Sequence, residues 1–222
     1  MTTTQQTNYL DAIERLPVGR TLTFSDVSWE EYEQLLSDLG DSSGSRVTYD
    51  EGRLEIVSPS SNHEMYEELI LLIAHVIGAE TGCDVESRGS TTFKQKSLAK
   101  GAEPDTCFYV KNASQIIGRL KIDLSVDPPP DIAVEIDVSH RSKTKLAIYE
   151  RFGVPEVWRY DERRLRIYEL TPQGYVESAA SLTFPFLTCE VLTDLLERSK
   201  TMGQSAVLRS FREWLREHAK AQ

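Results

Sequence analysis

The chain has 222 residues, 40% of them hydrophobic and 27% charged, with a formal net charge of −10. That length suits one main domain with terminal additions, and the composition excludes collagen, low-complexity disorder and a membrane-spanning class. Three widely separated cysteines (Cys83, Cys107, Cys189) argue against a disulfide scaffold or a CxxC zinc site.

No apolar run reaches the length of a membrane span, and the polar N-terminus (Met1 to Asn8) lacks a signal pattern, so a cytoplasmic protein without membrane association is expected. The acidic excess sits mainly in residues 1–50. Whole-molecule attraction to nucleic acid is therefore disfavoured, and phosphate contact requires local positive charge. Arg88, Lys94, Lys96 and Lys100 form a stretch free of acids, readable either as a solvated hairpin arm or as a phosphate-contacting strip.

Residues 1–45 read as an acidic flanking arm, with a helix at Trp29–Leu39 and a Gly/Ser loop from Gly40 to Gly44. Two extended runs, Val47–Tyr49 and Leu54–Val57, joined by Asp50-Glu51-Gly52, predict a β-hairpin. Ser61-Asn62-His63-Glu64 has capping-box spacing, and apolar residues at Tyr66, Leu69, Ile70, Ile73, Val76 and Ile77 predict a helix that Gly82 closes. Strands are expected at Asp84–Ser87, Thr91–Lys94 and Thr106–Val110, followed by a linker from Asn112 to Pro130 and a strand over Asp131–Asp137. A helix over Lys143–Phe152 ends at Gly153 with Pro155 beyond it, and strands Glu156–Tyr160 and Arg164–Leu170 follow, with a further one near Tyr175. The order predicts an α/β core, a mixed sheet flanked by helices, over residues 46–180. Residues 181–222 form a helical tail with two amphipathic stripes, the second being Val207, Leu208, Phe211, Trp214, Leu215 and His218. Such a tail packs on the core or on a partner in a homodimer.

Three features point to chemistry. Pro104 fixes the backbone before Asp105, at the start of an apolar strand. Glu135 and Asp137 stand about 7 Å apart on one strand face, opposite Ile132, Val134 and Ile136. Repulsion and desolvation disfavour two such carboxylates unless a cation joins them, although a solvated strand face is the plainer alternative. Lys145 falls on the stripe of Ile148, Tyr149 and Phe152, where it either meets an anion such as Glu135 or Asp105 or snorkels to solvent.

The acid at a strand start, the acid thirty residues later and the nearby lysine resemble the PD-(D/E)XK nuclease superfamily. More narrowly, Gly52-Arg53-Leu54-Glu55, Ser58-Pro59, His63, Pro104-Asp105, Ala133-Val134-Glu135-Ile136-Asp137, Lys145, Tyr149 and Gly153-Val154-Pro155-Glu156-Val157-Trp158-Arg159-Tyr160-Asp161 resemble the Uma family of restriction-endonuclease-like proteins, over about Val47 to Leu170. The resemblance implies a restriction-endonuclease-like core, with Asp105 and Glu135 as metal ligands and Lys145 as the motif lysine. In the usual pattern a lysine stands two residues after the second acid, where this chain has Asp137. Glu55 and His63 match family positions as second-tier candidates, His63 being equally readable as a packing or capping residue.

The implied activity is hydrolysis of DNA by a Mg²⁺-activated water, with Mn²⁺ as a substitute, leaving a 5′-phosphate. The Ile136 backbone carbonyl would complete the metal site, Asp137 could bind a second ion, and Arg88, Lys94, Lys96, Lys100 and Arg141 would contact phosphates. Two other classes fit the residues: a catalytically inactive nuclease-fold binding or assembly module, and a metal-dependent hydrolase of small phosphate esters.

Overall fold

Glu51 and Gly52 both adopt positive φ, +48° and +94°, the geometry a two-residue turn needs to match strand twist. They join β2 (Arg46–Asp50) to β3 (Arg53–Val57) with Asp50 opposite Arg53. The computed structural model describes residues 8–40, 44–89, 91–137 and 143–219. The Met1–Thr7 segment, most of the Gly40–Gly44 loop and Arg141 lie outside the described residues.

The hairpin centres a five-stranded antiparallel sheet of order β1-β3-β2-β6-β5, completed by β1 (Thr21–Phe24), β5 (Phe93–Gln95) and β6 (Lys100–Ala102). Above it lies α2 (Trp29–Leu39), started by a capping box in which Ser28 and Glu31 satisfy each other's backbone N–H. Its Trp29, Tyr32 and Leu35 pack on Val47, Tyr49, Leu54 and Ile56, and the Tyr32 and Tyr49 rings stack at 4.8 Å. A short helix α1 (Tyr9–Glu14) lies against α2.

The second sheet has six strands in the order β11-β10-β9-β8-β7-β4, made of β4 (Glu86–Ser87), β7 (Thr106–Tyr109), β8 (Ile132–Ile136), β9 (Glu156–Tyr160), β10 (Leu165–Thr171) and β11 (Gly174–Ser178). Among the described residues only β8 and β9 run parallel, and α5 (Lys143–Phe152) lies between them in the chain. One face carries α3 (Ser61–Thr81), α6 (Cys189–Met202) and α7 (Gln204–His218), which bury the Ile132, Val134 and Ile136 side of β8. The other face carries α5, whose Ile148, Tyr149 and Phe152 pack on Ala133, Cys107 and Val157. This is the expected mixed sheet flanked by helices.

Several local expectations are corrected. The helix after the hairpin has Ser60 as N-cap, one residue earlier than the capping-box spacing implied; the Glu64 N–H bonds the Ser60 carbonyl at 3.3 Å, and Ser60 makes no side-chain capping bond among the described residues. The strands near residues 84–94 are shorter and shifted, and β1 and β6 were not foreseen, since strands of three or four residues carry too little alternation to be read. The 112–130 linker contains a short helix, α4 (Ala113–Ile116). In the tail, Val207, Phe211 and Leu215 are buried inside the same chain, so the stripe that could have met a second copy is largely covered here. Among the described residues no helix is long and apolar enough to cross a membrane.

The close approach of α2 to β6 depends on Gly101. A Cβ there would lie 2.6 Å from Tyr32 Cζ, and Tyr32 is fully buried. Gly101→Ala is expected to destabilise the fold by about 1–3 kcal/mol through overpacking, as read by the midpoint of chemical denaturation.

Candidate active site

Alternation along β8 sends Ala133 and Glu135 toward α5 while the isoleucines and valine fill the opposite core. Asp105 arrives from the chain entering β7, where its N–H bonds the Val134 carbonyl at 3.0 Å. Its Oδ2 accepts the Ile136 N–H at 2.6 Å and lies 2.9 Å from His63 Nε2, near the N-terminus of α3. Both contacts fall on Oδ2, and among the described residues Oδ1 has no hydrogen-bond or ion-pair partner.

Lys145 and Tyr149 are one helical turn apart on the sheet-facing side of α5. Lys145 Nζ donates to Glu135 Oε2 at 2.9 Å, Glu135 Oε1 at 3.1 Å and the Glu103 carbonyl at 2.9 Å. The Tyr149 hydroxyl donates to Glu135 Oε1. Asp105 and Glu135 are only 2% and 4% exposed, and Lys145 and His63 each 8%, so these are interior charges rather than solvated ones.

Burial pushes the Glu135 carboxyl up to about 7, with the Lys145 charge opposing the rise and the Asp105 charge adding to it. For Asp105, burial acts in the same direction, yet the His63 bond and the Lys145 charge outweigh it and hold this carboxyl below its ordinary value. Burial would lower Lys145, but Glu135 and Asp105 keep its ammonium above the usual range. His63 is raised although burial opposes it, because Asp105 accepts its bond and supplies charge. The site therefore sets two carboxyl groups against the Lys145 ammonium and the His63 imidazole.

Asp105, Glu135, Ile136, Asp137, Lys145, His63 and Glu55 all line one cavity of about 140 Å³ between the two sheets. Asp137 is held by Arg159 through Nε at 3.1 Å and through Nη2. Glu55 lies 3.3 Å from Arg53 Nη2. Ile136 contributes its N–H to Asp105. The basic stretch stands apart from this cavity. Lys94 pairs with Glu33, Lys96 with Glu30, Lys100 with Asp50 and Glu51, and Arg88 with Glu86 and the Ile116 carbonyl.

Three residues were not singled out from sequence as parts of the site. Tyr149 was legible from its i+4 spacing to Lys145. Arg159 is placed by the parallel register that sets it opposite Glu135. Arg46 lines the cavity, pairs with Glu67 at 3.5 Å, and has a buried Nε without a hydrogen-bond partner among the described residues. Neither arginine could be found without knowing the strand pairing.

Carboxylates are the hard donors that Mg²⁺ and Mn²⁺ take, and an ammonium already sits among oxygens in this interior. The donor chemistry thus fits a divalent ion held by Asp105 and Glu135. Among the described residues there is no ready-made cluster of three or more His, Cys, Asp or Glu side chains for a metal.

A family model described as "Uma2: Putative restriction endonuclease" matches residues 29–197. A crystal structure described as a putative nuclease belonging to DUF820, from Anabaena variabilis, is similar at 19% identity and a TM-score of 0.48, over 68% of this chain and 90% of that one. No curated protein matches.

Lys145→Met leaves the Glu135 charge buried without its cation, and about 3–5 kcal/mol of stability is expected to be lost. Adding Glu135→Gln should recover most of it. In the single variant Glu135 has a raised folded-state pKa, so the folded state binds the proton more tightly than the unfolded one. The loss should be greatest at alkaline pH and shrink as pH falls toward the ordinary carboxyl value of 4.5. Denaturant titrations of both variants across pH check this.

Proposed function

The chain belongs to the Uma2 family of putative restriction endonucleases, and from that premise we propose that it is a divalent-metal-dependent endonuclease that hydrolyses DNA phosphodiester bonds and leaves 5′-phosphate ends. The observation that carries this reading is the convergence of Asp105, Glu135 and Lys145 on one cavity from three separate elements. Asp105 and Glu135 would hold Mg²⁺ or Mn²⁺. The ion, when bound, supplies Lewis acidity and a water made acidic near neutral pH.

The chain's own residues do the remaining work. His63 and the Ile136 N–H fix Asp105, and Tyr149 orients Glu135. Lys145 offsets charge building on the phosphate and orients the attacking water. Arg46, whose planar guanidinium suits paired phosphate oxygens, borders the same cavity. Contact of flanking phosphates with Arg88, Lys94, Lys96 or Lys100 requires exchange with their present acidic partners. For the exposed pairs at Lys94 and Lys96 that exchange costs little.

One observation favours a second reading, a nuclease-fold binding module without catalysis: both oxygens of Glu135 already take bonds, from Lys145 and Tyr149. Plasmid cleavage separates the two. The nuclease reading expects nicking or cutting with Mg²⁺ or Mn²⁺, arrest by EDTA, and roughly 10²-fold or greater loss in Asp105→Asn and Glu135→Gln. Product ends should accept label from a polynucleotide kinase only after phosphatase treatment. Absence of metal-dependent cleavage by folded wild-type protein on single- and double-stranded DNA would leave the module.

A further inference from the structure

Lys145 does more in this structure than neutralise Glu135. Its Nζ sits among three oxygens, two from the Glu135 carboxylate and one from the Glu103 backbone carbonyl, at 2.9 to 3.1 Å. An ammonium donates three N–H bonds and accepts none, so these three contacts match its full hydrogen-bonding capacity. The carbonyl belongs to the residue before Pro104, where the ring restricts the backbone to extended conformations and so limits where that oxygen points. Asp105, across the same cavity, takes no bond from Lys145; its partners are His63 and the Ile136 N–H, both on Oδ2.

Resting on the metal-site reading above, we infer that Lys145 is a tethered stand-in for the divalent cation. Its ammonium occupies a seat formed by the Glu135 carboxylate and the Glu103 carbonyl, and it gives up that seat when the metal enters. Glu103 thereby joins the site through its main chain. The physical ground is competition. Mg²⁺ takes carboxylate oxygens at about 2.0–2.1 Å, and a lysine bound to both oxygens of the same carboxylate cannot remain there without like charges in contact. Lysine suits the task because its charge rides on a flexible four-carbon stem. While it holds the seat, the Glu135 carboxylate is not left buried without a cation. Once displaced, the same ammonium is free in the cavity to meet a phosphate.

Competition of this kind reduces apparent metal affinity by the fraction of molecules in which the seat is open. Removing the ammonium should therefore tighten metal binding even though it destabilises the metal-free fold. The test compares Mn²⁺ binding, by electron paramagnetic resonance of the free ion, in wild type, Lys145→Met and Glu135→Gln. Lys145→Met is expected to bind roughly 10- to 100-fold more tightly than wild type, and Glu135→Gln more weakly. Reductive methylation of wild type, read by peptide mass spectrometry, supplies a measurement that needs no variant to fold. Lys145 should be protected in EDTA and modified at saturating Mg²⁺.

Equal or weaker Mn²⁺ binding in folded Lys145→Met would overturn the inference, as would a Lys145 that stays protected with metal bound. Either result leaves the metal site itself standing, provided wild type binds Mn²⁺ and Glu135→Gln binds it more weakly. No Mn²⁺ binding by wild type or Lys145→Met would remove both the site and its stand-in.

Discussion

A buried ammonium allows Glu135 to face the interior of this sheet, beside Asp105. Glu135 and Asp105 are almost wholly removed from water, and an uncompensated charge in such a place costs several kcal/mol. Lys145 meets the first and His63 the second, while the Tyr149 hydroxyl and the Ile136 N–H each add a hydrogen bond. The set ties α3, β8 and α5 to the segment entering β7, so the electrostatic solution is also a mechanical one. Hydrophobic residues could fill the same volume with less penalty, and the persistence of paired charges there is the strongest structural sign of chemistry.

The fold supplies what that arrangement needs. On β8, isoleucine and valine anchor one face under α3, while the small Ala133 on the other face leaves room for α5 to lie close to Glu135. The parallel step from β8 through α5 to β9 brings Lys145 back across the strand that carries its partner. The first sheet closes the cavity from the other side with Glu55, Arg46 and the Ser58-Pro59-Ser60 turn. The C-terminal helices thicken the core behind α3, with Phe211 and Leu215 buried in one cluster with Leu192, Leu195 and Leu196.

Much of this was legible in the residues themselves. Strand alternation separated Glu135 from its apolar neighbours, helical spacing put Lys145 on the stripe of Tyr149, and the Glu51-Gly52 turn fixed the hairpin. What could not be read depends on distant pairing. The β1–β3 and β2–β6 contacts rest on strands too short to show periodicity, so one expected sheet proved to be two. His63 was balanced between a packing role and a place in the site until Asp105 was found 2.9 Å away. The basic stretch from Arg88 to Lys100 looked uncompensated only because its acidic partners, Glu30, Glu33 and Asp50 among them, lie tens of residues earlier.

The central claim is that Asp105 and Glu135 share one divalent ion. Crystals soaked in manganese and measured near its absorption edge test it most directly. The account predicts an anomalous peak about 2.0–2.3 Å from oxygens of both carboxylates, with the Lys145 side chain moved off Glu135. A map showing Lys145 still seated on Glu135, with no peak between the two acids at saturating manganese, would contradict it.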